Sequence, residues 1–220
     1  MKVSALFITF LFLLNFSFAQ EMKIKYDIIM IPNNPEMQAQ IDLSEGSSFT
    51  IYTKNKQSRT EMNMGGLMMT TTIIDGGKEK GVRLLDGMLG KQAATFEQSE
   101  FDNFKDVNSD VDIEYTEETK DILGYTCKKA ILYDVQNDIE MIFWYTEEIE
   151  LSGAYLGDFS TYGFPGIALE YEVEDVEMSM KFTAVELKNK IEHPKVLFET
   201  IIPAGSTEKS FIEIVNLSGQ

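Results

Sequence analysis

The sequence has one cysteine, Cys127, and one histidine, His193, two residue types that often serve as catalytic nucleophile or base. Cys127 is followed by Lys128 and Lys129, which would lower the pKa of its thiol and make it reactive. We favour the alternative of a small apolar residue facing the core of a strand, because no base or second cysteine accompanies it. His193 is the only histidine and precedes Pro194 in a charged stretch, which predicts a surface loop.

No motif supplies the other parts of a catalytic site. The Gly-x-Ser-x-Gly turn of the α/β-hydrolases is absent, and one cysteine with one histidine is too few for zinc or iron–sulfur centres. Glu170 and Glu172 alternate along one strand, and we interpret them as exposed carboxylates rather than as the facing pair of a glycosidase. The sequence therefore predicts a protein that is not an enzyme and has no cofactor.

One acidic stretch has the spacing of an EF-hand calcium loop. Between Asp106 and Glu117, oxygen-bearing side chains occupy loop positions 1, 3, 5 and 12. Position 6 needs a sharp turn and is normally glycine, but here it is the β-branched Val111. The second half also alternates like a strand, so we predict a solvated acidic strand and no metal site.

Methionine occurs in clusters that suit an apolar pocket. Met62 and Met64 precede a Gly-Gly turn, Met68 follows it, and Met178 and Met180 fall on the same strand face. Thioether side chains are flexible and polarizable, so they line adaptable pockets as well as ordinary cores, and both interpretations stay open. The candidate residues for an apolar ligand are Met62, Met64, Met68, Met141, Phe143, Met178, Met180 and Phe182.

The N-terminus has the three parts of a secretory signal. A positive charge at Lys2 is followed by an apolar run over residues 5–18 and by the small residue Ala19. The run is shorter than the roughly 20 residues that cross a bilayer. We expect residues 1–19 to be removed, which leaves residues 20–220 as a single β-rich domain that is periplasmic or secreted.

Charge and cysteine content exclude several classes of protein. The chain has 36 acidic and 19 basic residues and a formal net charge of −17. Nucleic acids and anionic membrane surfaces select for basic clusters, so neither is an expected partner. A single cysteine cannot form an intramolecular disulfide, so we expect the apolar core to stabilise the fold by itself.

The elements that must position these residues are mostly strands. Apolar and polar residues alternate over Val111–Thr116 and Leu169–Glu174, which is typical of strands with one buried face. Many short strands between Gly, Asn and Asp turns predict an antiparallel sheet or a barrel-like fold. The further strands are predicted at Lys23–Met30, Phe49–Lys54, Ser58–Met64, Leu67–Ile74, Val82–Leu85, Tyr125–Asp134 and Ile139–Tyr145.

Helices are expected in few places. Ser99 is a suitable N-cap for a short helix that reaches Val107, with Phe101 and Phe104 on one face. Residues Ser206–Leu217 suit either a helix or a strand. We find no repeat or linker, so one domain is the simplest division.

Two segments form a recognisable pair: Glu118–Ala130, and Tyr162–Tyr171 with its Gly-Phe-Pro-Gly-Ile-Ala sequence. Trp144–Thr146 lies between them and Phe198–Pro203 follows. Together they resemble a secreted family of unknown function named for its Gly-Leu-Pro-Gly-Leu-Ile motif, from which this sequence departs by three apolar replacements. The resemblance is most specific over residues 118–172.

This resemblance implies a relative of the lipoprotein-carrier fold. Such a fold is mainly β, a strongly curved antiparallel sheet or incomplete barrel with a few short helices against its concave face. The family brings no catalytic residues to transfer. Its motif has a structural explanation, since Gly163 and Gly166 permit a turn, Pro165 fixes φ and Leu169 begins the next buried strand.

Two functions follow as hypotheses. The first is an exported, non-catalytic binding or carrier protein for an apolar ligand such as a lipid or an acyl chain. The second is an envelope module that docks another protein and holds no small ligand.

Overall fold

The computed structural model describes residues 21–97, 99–101, 111–134, 139–149, 151, 165–174 and 177–218. These form one large curved sheet of twelve strands that is not closed into a barrel, with a few short helices, which confirms the predicted fold class. The strands are β1 (Glu21–Pro32), β2 (Ser48–Lys54), β3 (Gln57–Asn63), β4 (Met68–Asp75), β5 (Lys80–Gly87), β6 (Gly90–Glu97), β7 (Val111–Ile122), β8 (Tyr125–Asp134), β9 (Ile139–Thr146), β10 (Ile167–Glu174), β11 (Met178–Lys188) and β12 (Thr207–Glu208).

The strand order is β12-β6-β5-β4-β3-β2-β1-β11-β10-β9-β8-β7. Two series of consecutive hairpins, β1 to β6 and β7 to β11, are joined where β1 pairs with β11 over a long antiparallel ladder from Lys23–Lys188 to Pro32–Met178. Among the described strands, only β12 is parallel to its neighbour, and it pairs with β6 through two residues. The long-range β1–β11 pairing therefore unites the two halves of the sheet.

The alternation of β1 defines the two faces of the sheet. Met22, Ile24, Tyr26 and Ile28 are buried on one side, which we call the inner face, whereas Lys23 and its alternating neighbours lie on the other, the outer face. This is the period-two pattern of a strand with one face against the core.

The described helices are α1 (Gln38–Leu43, after a 3₁₀ turn at Pro35–Met37), α2 (Pro194–Leu197) and α3 (Phe211–Leu217). Residues 99–101 are also helical, where a helix starting at Ser99 is predicted, and the rest of that segment lies outside the described residues. The open prediction for Ser206–Leu217 resolves into both alternatives, since β12 precedes α3. A capping box between Ser210 and Glu213 starts α3.

Apolar side chains form two separate cores. The first, which we call the main core, packs buried residues of β1, β2 and β8–β11. The second packs β4–β6 against α3 and Phe101, where the rings of Phe96 and Phe211 are 4.6 Å apart. The inner faces of β3–β6 between these cores carry buried polar residues, including Thr70, Thr72 and Arg83, which we call the polar strip.

The segment between β11 and β12 crosses the outer face. The amide of Ile191 donates to Glu21 Oε2 (3.2 Å), Arg59 Nη1 donates to the Leu197 carbonyl (3.2 Å), and the Lys209 amide donates to the carbonyl of Ala93 (2.9 Å). Through these contacts the segment crosses the sheet from β1 to β6, where β12 pairs with β6 at the edge.

Candidate functional site

Cys127 is a buried residue of β8, as predicted, with no exposed surface. Burial raises the pKa of its thiol to about 11, against the opposing influence of Lys120. A thiol in this state is protonated at neutral pH and shielded from reagents, so it lacks the properties of a nucleophile.

His193 lies on the surface, as predicted, with a left-handed backbone (φ 52°) just before α2. In the acidic stretch with EF-hand spacing, residues 106–110 lie outside the described part, and the remainder belongs to strand β7. Among the described residues, no group of three or more acidic, histidine or cysteine side chains is placed to hold a metal ion.

The sequence predicts an exposed Glu170, and this prediction is wrong because the side chain is mostly buried. Its side chain is only 15% exposed and accepts hydrogen bonds from Lys120 (2.7 Å) and Lys181 (3.0 Å), so the outer face is an ion-pair network here. Burial favours the neutral carboxyl, but the two lysines outweigh it and lower the pKa of Glu170. Lys120 Nζ also lies 4.2 Å from the ring centroid of Trp144. These partners give the cluster a structural explanation.

An apolar row crosses six adjacent strands of the inner face. Its members lie directly opposite one another in consecutive ladders, so their side chains are neighbours. Exposure changes along the row: the members on β8 and β9 are buried, while those on β7, β10, β11 and β1 are half-buried. We call it the methionine row; it consists of Ile113, Leu132, Met141, Val173, Met180 and Met30.

An aromatic row lies beside the methionine row, one step further into the sheet. The rings of Tyr171 and Phe182 are stacked at 4.3 Å, and Phe143 stacks on Tyr171 at 5.7 Å. Tyr26 meets Tyr171 edge-on and donates its hydroxyl to the Ala168 carbonyl (2.9 Å). Complete burial raises the pKa of Tyr26 beyond its usual range. These rings form a packed apolar row beside the half-buried methionines.

The structure brings five of the eight candidate residues to one core. Met141, Phe143 and Phe182 are buried in the main core, and Met62 and Met180 pack against it from half-buried positions. Met178 is half-buried one row further out, opposite Pro32.

Two candidates go elsewhere. Met68 packs against the second core, because its strand β4 pairs with β5, and both strands contribute buried residues to that core. Met64 is half-buried in the β3–β4 turn, and its amide donates to the Met68 carbonyl (2.8 Å).

Sequence reasoning missed four members of the methionine row: Met30, Ile113, Leu132 and Val173. Met30 belongs to the run Ile28-Ile29-Met30-Ile31, in which every residue is apolar, so period-two alternation does not assign a face. Only the partner strand decides it, since Met30 lies opposite Met180 and next to the Ser44 hydroxyl (Oγ to Sδ, 3.2 Å).

Gly166 explains part of the quoted motif. Its φ is +116°, and a Cβ added there would lie 2.1 Å from the carbonyl oxygen of Thr146. Only glycine fits this approach of β10 to β9, as the turn interpretation predicts. Gly163 lies outside the described residues.

A family model described as the N-terminal domain of N-glycanase peptide (PNGase F-II) matches residues 90–193, and no curated protein matches the sequence. The resemblance to the Gly-Leu-Pro-Gly-Leu-Ile family stays a prediction.

Among solved structures, PNGF-II is similar over 90% of this chain with 17% identity and a TM-score of 0.51. This likeness shows a shared fold, and the chain spans about a third (33%) of the length of PNGF-II.

Two further structures are matched with lower scores. The Mycobacterium tuberculosis lipoprotein LppX is 10% identical, with 77% of this chain and 88% of that one covered and a TM-score of 0.37. A LolA superfamily protein from Nitrosomonas europaea is 8% identical, with 82% and 91% covered and a TM-score of 0.34. These scores are too low to assign a shared fold.

Within the described residues, we find no helix with the length and apolar character needed to cross a membrane.

Proposed function

We propose that this chain is an exported, non-catalytic carrier or binding protein for an apolar ligand such as a lipid or an acyl chain. The methionine row is the observation that carries the proposal. It forms a continuous apolar strip across six strands, and its half-buried members retain surface that a ligand can cover.

The two rows differ in what they can offer a ligand. The stacked rings of the aromatic row are closely packed and give that part of the inner face a fixed shape. Met30, Met178 and Met180 lie beside them on flexible thioether chains, which can adapt to an alkyl chain of variable shape. Ligand pockets are mostly apolar with few polar groups, and the inner face of β7–β11 has this character.

Two of the candidate residues mark the limits of the site. Met62, opposite Phe49, is the last apolar side chain of its row before Thr70 and the polar strip. Met178 lies at the open end of β11. The ligand would therefore lie between β3 and β7, with its exit at the end of the strands where Met178 lies.

A charge placed in the methionine row tests this proposal. Met180→Glu puts a carboxylate between Met30 and Val173, and we expect the affinity for a pyrene-labelled fatty acid to fall at least about tenfold, because a buried unpaired charge is costly. Val185→Glu is the matched control: it adds the same charge to the same strand at a 44% exposed position, the β-bulge of β11 opposite Lys25 and Tyr26, outside the methionine row. Met180→Leu should bind normally.

Equal binding by Met180→Glu and Val185→Glu, with both variants folded by circular dichroism, would refute an inner-face site. Failure of the wild type to bind any fatty acid or phospholipid would refute the carrier function itself.

A second candidate is a module that docks another protein. It is favoured by the match to a family model described as a domain of a longer protein. Crosslinking in the native envelope, followed by identification of a stoichiometric polypeptide partner in place of a lipid, would support it.

A further inference from the structure

One end of the sheet carries large apolar side chains that face solvent. The β5–β6 hairpin turns through Met88 and Leu89, which are 92% and 73% exposed. Leu43, at the end of α1, is 61% exposed, and Met69, at the start of β4, is 38% exposed. We call these four residues the apolar tip.

The four residues belong to one region. Met69 lies opposite Asp86 in the ladder that leads to the β5–β6 turn. The end of α1 is held against the β3–β4 turn, where the Gly66 amide donates to the Leu43 carbonyl (3.1 Å). A Cβ at Gly65 would lie 2.8 Å from backbone atoms of this helix end, which shows how closely the two segments approach. The end of α1, the start of β4 and the β5–β6 turn therefore bring exposed apolar residues to one end of the sheet.

Turn formation does not require these residue types. Gly90, with φ +79°, takes the left-handed position that the hairpin needs, so the two turn positions before it accept almost any side chain. Polar residues are usual at such exposed sites, and grouped exposed apolar residues mark interaction surfaces. The fold gains nothing from Met88 and Leu89 where they lie.

The charge around the apolar tip indicates its partner. Residues 64–69 and 87–90 contain no charged side chain, although the chain has a net charge of −17. The nearby exposed acids are Asp42, Glu45 and Asp86, of which Asp86 pairs with Lys91 (3.8 Å), so acids outnumber bases beside the tip. They would repel anionic lipids but lie favourably against the outermost ammonium group of a zwitterionic lipid.

The apolar tip and the methionine row lie at the same end of the strands. β1 runs towards this end and reaches Met30 and Pro32 there, β11 begins there at Met178, and β5 ends there at Gly87. A membrane that contacts the tip would therefore face the open end of the inner face.

We propose that the apolar tip inserts into the surface of a zwitterionic lipid bilayer and holds the open end of the inner face against it. The insertion itself does not depend on the proposed carrier function. Only its purpose, transfer of a lipid between bilayer and protein, rests on that proposal.

Sedimentation with vesicles of phosphatidylcholine tests the insertion. The double variant Met88→Asp/Leu89→Asp should bind at least about tenfold more weakly than the wild type, because burial of each side chain in lipid favours binding by about this factor or more. The control is Val196→Asp/Ile201→Asp, which adds the same charge at positions 66% and 67% exposed outside the tip. This control should bind like the wild type, and phosphatidylglycerol vesicles should bind more weakly than phosphatidylcholine.

A spectroscopic variant locates the contact. Leu89→Trp should be quenched by brominated phosphatidylcholine, whereas the wild type, with only the half-buried Trp144 of β9, should show little quenching.

The proposal is overturned if the wild type does not bind phosphatidylcholine vesicles, if both double variants bind equally, or if Leu89→Trp is not quenched. A stable dimer in the absence of lipid that Met88→Asp/Leu89→Asp dissociates would also overturn it, in favour of self-association. Binding of the pyrene-labelled fatty acid without vesicles should be unchanged in Met88→Asp/Leu89→Asp. Loss of vesicle binding alone therefore leaves the carrier function standing, and loss of fatty-acid binding alone leaves the membrane contact standing.

Discussion

Gly166→Ala should destabilise the protein severely, by about 2–6 kcal/mol. A φ of +116° is accessible almost only to glycine, and holding another residue there costs on the order of 1–3 kcal/mol. The new Cβ would also lie 2.1 Å from the Thr146 carbonyl oxygen, a backbone atom beside the Ile167–Thr146 pair of the β9–β10 ladder. Relief of this clash requires the ladder to move, and overpacking of this kind costs roughly another 1–3 kcal/mol.

Gly124→Ala is the matched control for the backbone conformation. Gly124 has φ +84°, but a Cβ there meets nothing within 4 Å, so the change imposes conformational strain without a clash. We expect it to cost about 1 kcal/mol. Urea unfolding followed by the fluorescence of Trp144, two residues from Thr146, measures both variants. If the two free energies of unfolding differ by less than about 0.5 kcal/mol, the close approach of β10 to β9 does not constrain position 166.

Three further predictions concern the core and the outer face. Tyr26→Phe should lower the free energy of unfolding by about 1–2 kcal/mol, because it removes the buried hydrogen bond to the Ala168 carbonyl, and a loss below about 0.3 kcal/mol would contradict this. Cys127, whose pKa is raised to about 11 by burial, should not react with Ellman's reagent at pH 8 in the native protein. In urea its thiol should react with one equivalent of the reagent. Rapid reaction of the native protein would show that the thiol is accessible. Hydrogen bonds from Lys188 and Lys23 lower the pKa of Glu186 to about 2, so its stabilising contribution is complete above pH 4.5 and is lost as pH falls towards 2. The difference in unfolding free energy between wild type and Glu186→Gln should therefore shrink over that range, and a constant difference would disprove the linkage.

Local pattern predicted the strands better than their partners. The strands from Tyr125 and Ile139 begin where predicted, because alternation and turn residues are local signals. β6 was not predicted, since its Ala93-Ala94 centre has weak strand propensity. The β1–β11 pairing joins residues more than 140 positions apart, and nothing in either segment specifies that register.

The same limit applies to the candidate site. The sequence correctly grouped Met180 with Phe182, because residues two apart on a strand share a face. It could not show that Met68 belongs to the second core and not to the main core, because this depends on the position of β4 within the sheet. Met30 was missed because its own segment is apolar on both faces.

Native mass spectrometry of the protein purified without detergent, followed by organic extraction and lipid analysis, tests the central claim most directly. The proposed function predicts a stoichiometric apolar mass that is released by solvent and is absent from Met180→Glu but present in Val185→Glu. An apo mass for the wild type that stays apo after addition of fatty acids and phospholipids would contradict the claim that the inner face binds an apolar ligand.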